Sequence, residues 1–141
     1  ISTQNIKNSI QEYIPTNNRS QIVKTNSNTL ILDAYNANPS SMSAMLHSFA
    51  KQHYDNKLCI LGDMLEMGET SLKEHQEIID LVNELKLESI FIGNEFSKLN
   101  KDAYKNIESF SQYLGKNLIN NKTILLKGSR GIALEKLIDL L

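Results

Sequence analysis

Four short, continuously apolar runs constrain this chain more than any other feature: residues 29–33 (TLILD), 58–61 (LCIL), 89–92 (SIFI) and 123–127 (TILLK). A strand with one wet face alternates apolar and polar residues. These runs do not alternate, so each needs cover on both faces. The segments between them supply it. Met42, Met45, Leu46 and Phe49 recur at three and four residues and predict a helix over 39–53. Ile78, Ile79, Val82 and Leu85 predict another over 72–85. Shorter helices are expected around Phe96 and Leu99 and over 113–119, with a closing helix over 132–141 and a weaker strand near 107–110. Strands alternating with helices give an α/β fold with a doubly wound, mostly parallel sheet. Residues 21–24 and 29–33, on either side of Asn26-Ser27-Asn28, form a hairpin-like strand pair at its N-terminal side. Ahead of it, Ile6, Ile10 and Tyr13 have the spacing of a helix that Pro15 stops, so residues 2–13 are expected to pack outside the sheet.

Such Rossmann-like sheets bind ligands in the crevice beyond the carboxyl ends of their strands. Here those ends read Asp33-Ala34-Tyr35-Asn36, Gly62-Asp63, Gly93-Asn94 and Lys127-Gly128-Ser129-Arg130. All are polar or turn-forming, which predicts one functional edge. Asp33 is placed to accept hydrogen bonds from hydroxyls, and Asn36 and Asn38 offer the donors and acceptors that a peptide or amide ligand requires. The same stretch also fits a plain loop, with Asn38-Pro39 starting a turn and Ser40 or Ser41 capping a helix. Residues 127–131 open the closing helix. There, backbone N–H groups with Arg130 beside them would attract an anion, and a simple strand-to-helix turn fits equally well. Asp63, Glu66 and His75 lack the spacing of a metal motif, and His47 and His53 have no evident partners, so no metal site is expected. Cys59, between Leu58 and Ile60, reads as a buried structural thiol.

The chain has 141 residues, of which 40% are hydrophobic and 22% charged, as one ordinary globular domain requires. Its net charge is -1 with the signs interspersed, leaving no basic footprint for nucleic acid. No apolar run is long enough to span a bilayer, and residues 1–8 are too polar for a signal peptide. A single cysteine excludes an internal disulfide and fits a reducing compartment, so a soluble cytoplasmic domain is expected. Neither G-x-x-x-x-G-K-[ST] nor G-x-G-x-x-G occurs, so the chain carries no phosphate cradle of its own. That gap, with a start at Ile1 in place of Met, points to a piece of a longer protein.

Four blocks, in order, carry a resemblance over almost the whole chain: Pro15 with Asn18-Arg19-Ser20-Gln21, then Asp33-Ala34-Tyr35-Asn36-Ala37-Asn38-Pro39, then Leu61-Gly62-Asp63-Met64-Leu65-Glu66-Met67-Gly68 with His75, then Lys127-Gly128-Ser129-Arg130. The chain resembles the C-terminal domain of the Mur ligases of bacterial cell-wall synthesis, in the branch that adds D-alanyl-D-alanine to UDP-N-acetylmuramoyl-tripeptide. The resemblance implies three domains in the full protein: one for the UDP-sugar, a central ATPase with the phosphate loop, and a C-terminal dinucleotide-fold domain. Residues 1–17 would be helix and linker from the end of the central domain, and 18–141 the C-terminal domain. It implies ATP-driven amide ligation for peptidoglycan, in which the tripeptide carboxylate becomes an acyl phosphate that the dipeptide amine attacks. Mg2+ would assist, with its ligands in the central domain, and the chain alone would not catalyse. Arg19 would reach ATP phosphate and Asp33 the ribose hydroxyls, with Tyr35 and Asn36 beside the nucleotide. Asn36, Asn38, Lys127, Ser129 and Arg130 would face the dipeptide, the last three near its carboxylate, while Glu66 and His75 would be scaffolding. Other readings remain: a ligase for a different stem residue or for folate polyglutamylation, a phosphoacceptor signalling module built on Asp33, Asp63 and Lys127, or a stand-alone nucleotide- or peptide-binding domain.

Overall fold

A computed structural model describes residues 21–33, 37–65 and 67–141, together with the backbone of Glu12 and Tyr13. The strands are β1 (Glu12–Tyr13), β2 (Gln21–Lys24), β3 (Thr29–Asp33), β4 (Lys57–Gly62), β5 (Ser89–Ile92) and β6 (Thr123–Lys127). The helices are α1 (Pro39–Lys51), α2 (Ser71–Glu84), α3 (Asn94–Leu99) and α4 (Ile107–Lys116). The strands form one six-stranded sheet in the order β1-β2-β3-β6-β4-β5. β1, β2 and β3 pair antiparallel, and β3, β6, β4 and β5 run parallel.

Both faces of the parallel strands are apolar, as the unbroken runs demanded. Ile31, Cys59, Leu61, Phe91 and Leu125 point into one core with Met42, Leu46 and Phe49 of α1, Ile78 and Val82 of α2, and Phe96 of α3. Their neighbours Leu30, Leu58, Ile60, Ile92, Ile124 and Leu126 point the other way, onto Ile107, Phe110 and Leu114 of α4 and onto Leu134 and Leu137. Cys59 is fully buried, and burial pushes its thiol up to about 12, which makes it inert at neutral pH.

The chain runs outward from β3 to β4 and β5 and then returns to insert β6 between β3 and β4. The segments after β3 and β4 pack on one face, and the segment after β6 packs on the other. Strand ends therefore part on either side of β6, which is where ligands enter such sheets.

Three expectations fail. Residues 107–110 are the first turn of α4, not a strand: the Asn106 side chain accepts from Ser109 N at 2.9 Å, and Ile107, Phe110 and Leu114 share one buried face. The cap and the three–four spacing outweigh β-favouring residues. The closing helix over 132–141 is instead two 3-10 segments, Arg130–Ile132 and Leu134–Leu140, interrupted at Ala133 with φ 65°. Glu12 and Tyr13 are not the end of a helix but an edge strand, paired Glu12↔Ile22 and Tyr13↔Gln21, so the open edge of β2 overrides the local spacing. The remainder of the expected first helix, residues 2–11, lies outside the described residues, as do Arg19, Tyr35, Asn36 and Glu66.

At the far end of the sheet from the candidate edge, buried Asn28 ties three segments together. Its Nδ2 donates to Ile119 O at 2.8 Å and Leu141 O at 2.7 Å, and its Oδ1 accepts from Lys122 N at 3.1 Å. Asn28→Ala strands those backbone groups and should cost about 2–4 kcal/mol of stability. Urea unfolding measures it; a cost under about 0.5 kcal/mol would show that water replaces the amide freely.

Candidate functional site

Parallel pairing sets the carboxyl ends of β3, β6, β4 and β5 side by side. Asp33 pairs with Lys127, Lys127 with Leu61, and Gly62 with Ile92. Polar groups scattered through the sequence thus converge on one edge. The Lys127 ammonium donates to Asp33 Oδ2 at 3.0 Å, with side chains only 2% and 9% exposed. Two charges at this depth are tolerable because each lies against an opposite one. No described residue donates to the other oxygen of Asp33, Oδ1.

Asp63 follows β4 and braces the edge. Its carboxylate accepts from Glu95 N at 2.8 Å and Phe96 N at 3.1 Å, closing the first turn of α3 from a neighbouring strand. Gly93 makes room: a Cβ there would fall 2.1 Å from the Asp63 carboxyl carbon, and its φ of +138° also favours glycine. His75 lies beneath, fully buried. Its Nδ1 is 2.7 Å from the Ser71 carbonyl and so must donate, while its Nε2 accepts from Met64 N at 3.0 Å. Those partners assign the neutral Nδ1–H tautomer, so the 3.8 Å approach of Nε2 to Asp63 is not an ion pair. Ser71 continues the network by donating to Glu95 at 2.7 Å. His75 thus holds the loop after β4, in keeping with a scaffolding part.

The turn after β6 is stitched to that loop. Ser129 N donates to Asp63 O at 3.0 Å, and Ser129 Oγ accepts from Leu65 N at 2.8 Å. Gly128 packs on Gly62 so closely that an added Cβ would meet its Cα at 2.8 Å. Ser129 is buried, whereas Arg130, one residue on, is exposed at the rim. Asn38 is the N-cap of α1: its side chain accepts from Ser41 N at 2.8 Å, and Ser41 Oγ accepts in return from Asn38 N. Among the described residues, no group of three or more His, Cys, Asp or Glu side chains is arranged to hold a metal ion, and no helix is long and apolar enough to cross a membrane.

The structure brings together Asp33, Lys127, Ser129 and the bracing Asp63, and it separates buried Lys127 from exposed Arg130, which adjacency in sequence had grouped. Sequence reasoning missed Asp63 as a cap for α3. The signal was present in the glycine-led ends Gly62-Asp63 and Gly93-Asn94 of two strands that prove to be neighbours.

The fold and the polar edge are those of a doubly wound α/β domain whose strand ends part beside β6. A family model described as "Mur ligase, glutamate ligase domain" matches residues 18–130. The chain belongs to the Mur ligase family, as its C-terminal domain. It is 30% identical over 133 residues to the UDP-N-acetylmuramoyl-tripeptide–D-alanyl-D-alanine ligase of Rickettsia prowazekii, covering 88% of this chain and 30% of that protein. It is 31% identical over 153 residues to the ligase of the same name from Treponema pallidum, covering 100% of this chain and 33% of that protein. The chain therefore spans about a third of the length of these relatives. Among solved structures, MurF from Acinetobacter baumannii aligns with a TM-score of 0.74 at 25% identity, covering 90% of this chain and 30% of that one. MurF from Thermotoga maritima, solved in complex with ADP, shares the fold with a TM-score of 0.69 at 20% identity, covering 89% of this chain and 30% of that one.

Burial pushes the Asp63 carboxyl above its usual range, against the opposing pull of the Glu95 and Phe96 N–H groups. An acid raised in the folded state takes up its proton there first, so its contribution to stability grows as pH falls through that raised value and is lost as pH rises. The stability difference between wild type and Asp63→Asn should therefore move toward wild type between about pH 7 and about pH 4. Urea unfolding of both proteins across that range checks this; a pH-independent difference contradicts a buried, ionised Asp63.

Proposed function

We propose that this domain completes the active site of an ATP-dependent amide ligase that joins D-alanyl-D-alanine to UDP-N-acetylmuramoyl-tripeptide. The observation that carries the reading is Asp33. Its carboxylate ends β3 with one oxygen fixed by Lys127 and no described donor on the other, at the parting of strand ends where this fold takes nucleotides. The names of the relatives supply the reaction and its substrates. The Thermotoga protein, of which a domain of this fold is part, is solved in complex with ADP, which accords with a nucleotide in the intact protein.

In this reading Asp33 accepts from the ribose hydroxyls of ATP, Arg19 reaches its phosphates, and Tyr35 and Asn36 line the nucleotide. Asn36 and Asn38 face the gap between nucleotide and dipeptide. Asn38 can do so while capping α1, because the cap uses its oxygen and leaves the amide NH2 as a donor. Arg130, exposed beside the braced turn, pairs with the dipeptide carboxylate through its planar fork. Ser129 can still donate its hydroxyl proton toward the same group, since its oxygen only accepts from Leu65 N.

The remaining parts lie outside the chain. Residues 18–141 form the C-terminal domain, and 1–17 lead in from a central ATPase domain that holds the phosphate loop and the Mg2+ ligands. A domain before that one binds the UDP-sugar. Closure of this edge over the central domain would bring acyl phosphate and amine together and keep water out, protecting the acyl phosphate from hydrolysis. The substrates are cytoplasmic small molecules, and the partners are domains of the same protein, not nucleic acid or membrane. This domain by itself should show no ligase or ATPase activity.

Steady-state kinetics of the intact ligase, varying each substrate in turn, test the assignment. Arg130→Ala should raise KM for D-alanyl-D-alanine roughly ten- to a hundredfold, the loss of a charge-assisted hydrogen bond worth ~1.5–3 kcal/mol. Asp33→Asn should mainly weaken ATP, because a ribose contact is nearly uniform between ground and transition states. An Arg130→Ala enzyme with normal dipeptide dependence and impaired ATP dependence would overturn the division of labour.

A further inference from the structure

We propose that Lys127 is a positioning residue, acting on the nucleotide through the Asp33 carboxylate and not by touching the dipeptide. The inference rests on the reading of Asp33 as a ribose acceptor and adds the group that fixes it. A lysine ending a strand beside an exposed arginine invites the simpler view that both grip an anion. The geometry separates them. β3 and β6 are parallel neighbours with Asp33 and Lys127 in direct register, and strand parity puts both side chains on the face that carries Ile31, Leu61 and Leu125. The lysine is almost wholly buried there, with its ammonium 3.0 Å from Asp33 Oδ2 and its side chain 2% exposed. To be drawn out to a dipeptide carboxylate it would have to leave its buried place beside Asp33 and strand a buried anion, which is strongly unfavourable.

Held in place, the pair does something an isolated aspartate cannot. A carboxylate on a strand end rotates about its side-chain torsions, and each bound hydroxyl must bear the entropy of stopping it. With Oδ2 pinned by a charge-assisted hydrogen bond, the plane of the Asp33 carboxylate is set before the nucleotide arrives, and Oδ1 remains as acceptor. The register also makes the arrangement sensitive to β6. The Ser129–Asp63 and Ser129–Leu65 bonds that fix the following turn lock the end of the strand bearing the lysine.

The test uses the intact ligase with Lys127→Met, Asp33→Asn and the double variant, each checked for folding by thermal unfolding. KM is measured for ATP and for D-alanyl-D-alanine. Each single variant leaves one buried charge facing a neutral side chain and is at risk of misfolding; the double variant removes both charges and keeps the comparison readable. Lys127→Met should raise KM for ATP about tenfold and leave the dipeptide KM within about twofold. Adding it to Asp33→Asn should change the ATP KM no further, because a residue that acts through another is silent once its partner is gone. Effects that multiply, or a raised dipeptide KM with normal ATP dependence, overturn the assignment of Lys127. An Asp33→Asn enzyme with wild-type ATP dependence overturns the ribose reading of Asp33, and this proposal with it.

Discussion

β6 is the last strand in sequence and nearly central in space, and the arrangement of the edge depends on its insertion between β3 and β4. Its hydrogen-bond ladders set Lys127 opposite both Asp33 and Leu61, which makes the buried ion pair possible. They also bring Gly128 against Gly62 at a spacing no side chain would permit, and this lets Ser129 reach the backbone of the loop after β4. Asp63, held by that loop, then caps α3 beyond the neighbouring strand. Side chains drawn from three strand ends are thus positioned by one register. A shift of β6 by one residue would turn Lys127 to the opposite face and carry Ser129 with it.

Continuous apolar runs made the parallel strands legible, because a strand buried on both faces has no other composition. The polar edge was legible for the same reason: polar residues at the ends of the parallel strands are conspicuous after TLILD, KLCILG, SIFI and TILLK. The order of strands was not legible. Nothing in TILLK says that it pairs with TLILD, 94 residues away at the ion pair, so Lys127 could be seen as a cation but not as the partner of Asp33. Local ambiguity accounts for α4, where Ile107-Glu108-Ser109-Phe110 fits either period and the Asn106 cap decides. The final segment failed differently. Its apolar residues Leu134, Leu137 and Leu141 repeat at three and four, and the break at Ala133 and the tighter 3-10 winding have no mark in that pattern. The resemblance to the Mur ligases singled out the candidate blocks, but it could not distinguish a lysine that contacts ligand from one that holds a carboxylate.

In the proposed reading the domain presents one half of a reaction centre. Its edge offers a pinned carboxylate, a helix-capping asparagine and an exposed arginine on a braced turn, each suited to holding a polar ligand, and its sequence has no phosphate loop. Rigidity is the property these groups share. Asp63, His75 and Ser129 place their hydrogen bonds on backbone groups of neighbouring loops, so the edge is braced as one unit.

A crystal structure of the intact ligase with a non-hydrolysable ATP analogue and D-alanyl-D-alanine tests the central claim most directly. The account predicts a ribose hydroxyl within hydrogen-bond reach of Asp33, the Lys127–Asp33 pair intact, and the dipeptide carboxylate against Arg130. A ribose out of reach of Asp33, or Lys127 swung away from Asp33 onto the dipeptide, would contradict it.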